Sequence, residues 1–123
     1  MRKLIVSLIV LFLLASCSQT AVYKSEEIVK FYGVIVQKIQ NQDQFKILVV
    51  PDMESKDIED LSEKERVEIA QKNNGKYFMP TEETFQVADI GMKVTVIYDK
   101  NAGQEDSNPP NQFGLKEFNL HTK

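Results

Sequence analysis

This sequence predicts a mainly β domain carrying one helix, and three observations lead to that class. Residues 28–39, 44–51 and 92–99 are rich in β-branched and aromatic side chains, which suit a pleated, half-buried surface. Residues 52–72 are dense in charge and in good helix formers, and they contain a complete helix-start signal. Polar, turn-forming stretches separate these segments, and the sequence has no internal repeat or low-complexity tract.

The first strand is read from "IVKFYGVIVQKI", with Gly33 as its bulge or bend. "QNQD" supplies a turn, and "QFKILVVP" makes the return strand of an antiparallel hairpin, with Phe45, Ile47 and Val49 on one face. Pro51 ends that strand because proline cannot donate to a ladder. In the charged stretch, Ser62 and Glu65 form a capping box, while Ile58, Leu61, Val67 and Ala70 give a thin apolar edge. Asn73, Asn74 and Gly75 stop the helix, with Gly75 in the left-handed cap position. Tyr77 to Met79 read as strand, Pro80 interrupts, and Phe85 to Val87 resume it. "MKVTVIYD" alternates most cleanly, with Met92, Val94, Val96 and Tyr98 on one face. Residues 100–112 read as a long mobile loop, and "FGLKEFNLH" as the last strand.

Five strands and one inserted helix predict a small five-stranded Greek-key barrel of the OB type. An α+β antiparallel sheet with one covering helix is the alternative. The single β-rich domain is placed over residues 28–121, long enough to bury about two-thirds of its unfolded surface.

Residues 1–16 are unlike the rest. Arg2 and Lys3 form a positive head, and Leu4 to Ala15 are almost wholly apolar. As a helix that apolar stretch would reach about 18 Å, against a hydrocarbon core of about 30 Å, so it predicts a cleaved secretory leader rather than a permanent span. Residues 17–27 then read as a modified N-terminus and polar tether.

The leader ends in Leu14-Ala15-Ser16-Cys17, and Cys17 is the chain's single cysteine. This run resembles the lipobox of bacterial lipoproteins. The resemblance implies cleavage between Ser16 and Cys17 and transfer of a diacylglyceryl group to the Cys17 thiol. A second acyl group firms such anchoring, each buried methylene adding about 0.8 kcal/mol. The expected address is the extracytoplasmic face of a cell membrane, with membrane lipid as partner through acylated Cys17. With Arg2 and Lys3 removed, 13 basic residues face 18 acidic ones, a formal −5. Nucleic acid is therefore not an expected partner.

Leader, hairpin "GVIVQKIQNQDQFKILVV", charged middle, and "ADIGMKVTVIYD" with its proline-containing loop together resemble the YobA-like lipoproteins of Gram-positive bacteria. That resemblance implies a small OB-like β-barrel and no assigned activity, and it carries over no active-site residue. "TEETFQVADI" is less strand-like than the pattern.

Catalytic residues are not expected. His121 is the only histidine, and acylation of Cys17 would remove the one thiol. The acid pairs Glu59/Asp60 and Glu82/Glu83 are sequence neighbours whose side chains point apart. From Asp99 to Glu105 oxygen-bearing residues alternate as at the start of a calcium loop. The glycine and bidentate glutamate positions of such a loop fall on Gln104 and Pro110, so the stretch reads as a turn. Neither a metal nor another cofactor is called for. The acidic helix offers Glu59, Glu63 and Glu68 as a candidate partner face. The expected function is a membrane-anchored binding or interaction module for a protein, peptide or wall-glycan ligand. A small envelope hydrolase using carboxylates, or a structural accessory of an envelope complex, is the alternative.

Overall fold

The computed structural model describes residues 25–121. The leader, the cleavage pair Ser16 and Cys17, and residues 18–24 of the tether lie outside the described residues. Among the described residues, no helix is long and apolar enough to cross a membrane.

The fold is β-rich with one main helix. Strands β1 (Ile28–Asn41), β2 (Gln44–Pro51), β3 (Lys76–Phe78), β4 (Lys93–Asp99), β5 (Gln104–Glu105), β6 (Asn111–Gln112) and β7 (Leu115–His121) form one sheet. Its order is β5-β6-β3-β2-β1-β4-β7, with all pairs antiparallel except β3 with β6. Helix α1 (Glu63–Lys72) joins β2 to β3, and the short α2 (Glu82–Val87) joins β3 to β4.

β1 is long because it serves two partners. Its first half pairs with β4, from Ile28↔Asp99 to Val34↔Lys93, and its second half pairs with β2 as far as Asn41↔Gln44. The register slips between Ile35 and Gln37, so Val36 is the extra residue of a bulge. The bulge therefore falls at Val36 rather than at Gly33. Gly33 is needed for space: a Cβ there would lie 2.3 Å from the Val50 carbonyl oxygen.

The middle of the sheet is buried on both faces. On one side Ile35, Ile47, Val49, Phe78, Val94, Val96 and Tyr98 pack with Phe85 of α2 and Ala88. On the other, Val34, Val36, Leu48 and Val50 lie beneath Ala70 of α1 and Ile58. α1 forms as its sequence dictates: Ser62 Oγ accepts from Glu65 N at 3.2 Å, and Glu65 Oε1 accepts from Ser62 N at 3.1 Å.

The expected five-stranded barrel is not what forms: the described residues make one open sheet of seven strands. The segment 100–112, expected as a mobile loop, instead holds a 3₁₀ turn, Lys100–Ala102, and the two short strands β5 and β6. The last strand is broken at Phe113 and Gly114, where Gly114 takes φ 78°, so the hydrogen-bond ladder does not run round from β6 to β7.

Two further expectations are corrected. Phe85 to Val87 do not resume a strand, because Thr81 caps a helix there, its Oγ1 accepting from Thr84 N at 3.3 Å. Lys38 seals the other end of that helix, donating to Ala88 O at 2.6 Å and lying 4.6 Å from the Phe85 ring centre. After α1 the left-handed residue is Asn74 (φ 61°), not Gly75, which must be glycine because a Cβ would meet that of Ala70 at 2.6 Å.

Candidate functional site

The β1–β2 hairpin, α1, β3 and the segment before β7 enclose a cleft of about 360 Å³. Asn41 and Gln44 flank a two-residue turn in which Gln42 takes φ 57°, and Ile39 and Lys46 stand behind them. α1 contributes Val67, β3 contributes Tyr77, and the far wall is Ser107, Asn108, Pro109 and Asn111.

That far wall is fastened to the body. Gln71 of α1 donates to Asn108 O at 3.0 Å, Tyr77 N donates to Pro110 O at 2.9 Å, and Asn111 Nδ2 donates to Glu105 Oε2 at 3.0 Å. Within it, Ser107 Oγ donates to Pro109 O at 3.0 Å. Tyr77 is half-buried and its hydroxyl donates to Gln37 Oε1 at 2.5 Å. Burial, and secondarily the negative charge of Glu63, raise its pKa above the ordinary tyrosine value. Among the described residues, the side chains of Asn41, Lys46 and Asn108 line the cleft without a hydrogen bond. A mixed surface of amides, the Tyr77 and Ser107 hydroxyls, one ammonium and apolar Ile39, Val67 and Pro109 suits a polar ligand rich in hydrogen-bond acceptors.

Two other concavities are committed to the fold. One is lined by Ser55, Glu59, Arg66 and Gly91. Arg66 Nε donates to Val36 O at 2.7 Å and its Nη1 to Leu61 O at 2.8 Å, while Ser55 donates to Gly91 O at 2.5 Å. The other is lined by Tyr32, Asp52, Glu54, Lys93 and His121. There Lys93 pairs with Glu54 at 2.5 Å, and His121 Nε2 lies 2.6 Å from Thr95 Oγ1.

Glu59, Glu63 and Glu68 are all exposed, but the structure does not gather them. Glu59 precedes α1, at the Arg66 concavity. Glu63 and Glu68 are five residues apart on α1, which turns them roughly 140° from one another at 3.6 residues per turn. At residues 99–105, Asp99 Oδ1 accepts from the amides of Asn101 and Glu27, each at 3.0 Å, and caps the 3₁₀ turn. Among the described residues, no three acids, histidines or cysteines converge as a metal site would require. Cys17 and Ser16 lie outside the described residues. The cleft itself is not legible in the sequence, because its walls come from four separated segments.

The geometry defines a small β-rich domain with a polar cleft at one end of its hairpin. Residues 32–112 match the family described as proteins of unknown function, DUF3221, and the chain belongs to that family. The matched stretch runs from β1 through β6 and so contains every residue lining the cleft. No curated protein and no solved structure matches the chain.

Proposed function

We propose that this protein is a binding module held on the extracytoplasmic face of a cell membrane by acylated Cys17, and that the hairpin cleft receives its ligand. The observation that carries the binding reading is the cleft's chemistry. Asn41, Lys46 and Asn108, whose side chains make no hydrogen bond among the described residues, stand on walls held by other hydrogen bonds, so a ligand meets a preorganised surface. The ligand class that fits is a glycan or peptide bearing amide, hydroxyl or other acceptor groups. The anchor reading is supported by Leu14-Ala15-Ser16-Cys17 behind an apolar leader. The resemblance to YobA-like lipoproteins points the same way.

The pairing of the last segment supports reading the fold as an opened relative of the OB-type barrel. The last segment pairs with β3 through β6 and with β4 through β7, as one continuous strand would in closing such a barrel.

Titrating the isotope-labelled protein with N-acetylated glycan fragments and with wall peptides tests the ligand reading. Saturable shifts confined to residues 39–46, Tyr77 and 107–111, weakened about tenfold or more by Asn108→Ala with Lys46→Ala, are expected. Shifts elsewhere, or none with either class, would sink it. For the anchor, intact-mass analysis of membrane-extracted protein should show a diacylated Cys17, and Cys17→Ala should release the protein from the membrane.

A further inference from the structure

The residues leading into β1 belong to the folded body rather than to a loose tether. Asp99 Oδ1 accepts from Glu27 N at 3.0 Å, and Lys100 N donates to Glu27 O at 2.8 Å. Asn101 Nδ2 donates to Ser25 O at 2.7 Å, and Lys116 Nζ pairs with Glu26 Oε1 at 2.9 Å. The end of β4, the 3₁₀ turn and β7 thus hold residues 25–27 from three sides.

Only seven residues separate Cys17 from Ser25, so whatever conformation they adopt, the anchor lies within about 29 Å of the clamp. The cleft's hairpin is at the other end of β1, whose 14 residues have a contour of about 45 Å, bent at Val36.

Charge acts in the same direction. Between Asp52 and Glu68 there are eight acidic and three basic residues, and the remainder of the chain from Cys17 balances at ten of each. The whole formal −5 therefore sits on the stretch around α1, and none of its acids takes part in the clamp. A membrane carrying anionic lipid repels that stretch more strongly than the clamp end, where Glu26, Glu27 and Asp99 stand beside Lys100 and Lys116, and so leaves the clamp end as the favoured neighbour.

We infer that the clamp end, formed by Ser25 to Glu27, the turn Lys100–Ala102 and Lys116, is the surface that lies against the lipid headgroups, so that the hairpin cleft faces away from the bilayer. This rests on the Cys17 anchor proposed above.

The chain contains no tryptophan, so a single introduced one reports position. Lys100→Trp and Gln40→Trp each replace an exposed side chain, at the clamp end and near the hairpin. Each full-length variant is expressed in cells that process it, extracted from membranes, and reconstituted into vesicles containing a dansyl lipid, with phosphatidylcholine alone or with phosphatidylglycerol added. Energy transfer from position 100 is expected to exceed that from position 40 severalfold, with a wider gap in the anionic vesicles and a narrower one at high salt. Amide exchange of the unsubstituted protein supplies a second readout, with slower exchange at residues 100–103 in vesicles than in detergent and no change at 40–44. Equal or reversed transfer, or protection at the hairpin instead, on protein whose mass shows acylated Cys17 would overturn the orientation and leave the anchor standing. An unmodified Cys17 would remove both.

Discussion

Phe78 of β3 and Phe118 of β7 stand with ring centres 6.4 Å apart and planes at 60°, although four strand-to-strand steps separate them in the sheet. In a flat sheet those steps would span about 19 Å. The sheet is therefore curled so far that its β3 and β7 sides meet across one core, and aromatic contacts bridge β3 and β7, which are not themselves paired in the sheet. Phe31 and Tyr98 complete the cluster, each 5.5 Å from Phe78.

Because Phe78 is fully buried and touches rings from three other strands, its truncation removes the centre of that closure. Phe78→Ala is expected to lower unfolding free energy by about 3–5 kcal/mol, and Phe78→Leu by less, in urea denaturation followed by circular dichroism. A loss under about 1 kcal/mol for the alanine variant would mean that the curled core is not what holds the two sides together.

The same curl marks how far the sequence can be read. β1, β2, β4, β7 and α1 are legible because hydrophobic runs and the Ser62–Glu65 box are local signals. That "VIV" in β1 and "ILVV" in β2 do not alternate is itself informative: both faces of those strands are covered, one by α1 and the other by the curled core. The helix at Glu82–Val87 escapes a pattern-based reading because Phe85 to Val87 look β-like, although the Thr81-Glu82-Glu83 start is the signal that decides the matter. β5 and β6 are two residues each and owe their pairing to long-range contacts, such as Phe113 N donating to Gly103 O at 3.0 Å, which no local pattern announces. The cleft shares that character, whereas the acidic residues that stand out in the sequence prove to be dispersed.

Arg66 does for the bulge what the ladder cannot. Val36 is fully buried, and as the extra residue of β1 it offers a carbonyl outside the regular β1–β2 register; Arg66 Nε supplies the donor at 2.7 Å while Nη1 holds Leu61 O. Removing a charged donor from a buried carbonyl costs about 1.5–3 kcal/mol. Arg66→Met, which keeps most of the apolar stem, is expected to lose that amount in denaturant unfolding. Arg66→Lys should rescue little, because a single ammonium cannot reproduce two diverging guanidinium bonds. Full rescue by lysine would show that charge alone, and not the fork, is what the bulge needs.

Tyr77 ties the cleft to the pH dependence of the fold. Burial first, and the nearby Glu63 carboxylate second, raise its pKa in the folded state, so the neutral phenol is the form the fold favours. A raised folded-state value contributes stability that is complete below the unfolded tyrosine pKa, about 10, and is lost as pH rises through the folded value. Tyr77→Phe removes both this titration and the hydrogen bond to Gln37, so it should cost about 1 kcal/mol near neutrality, and its stability should then fall less steeply than the parent's above about pH 10. Phenolate absorbance should show one late-titrating group fewer in this variant, Tyr98 remaining as another tyrosine whose pKa burial raises. Glu63→Gln should move the Tyr77 titration downward without bringing it to the ordinary value, since burial is the larger cause. Should Glu63→Gln restore an ordinary tyrosine titration by itself, charge rather than burial would govern the cleft floor, and a ligand would meet a more solvated Tyr77 than the structure presents.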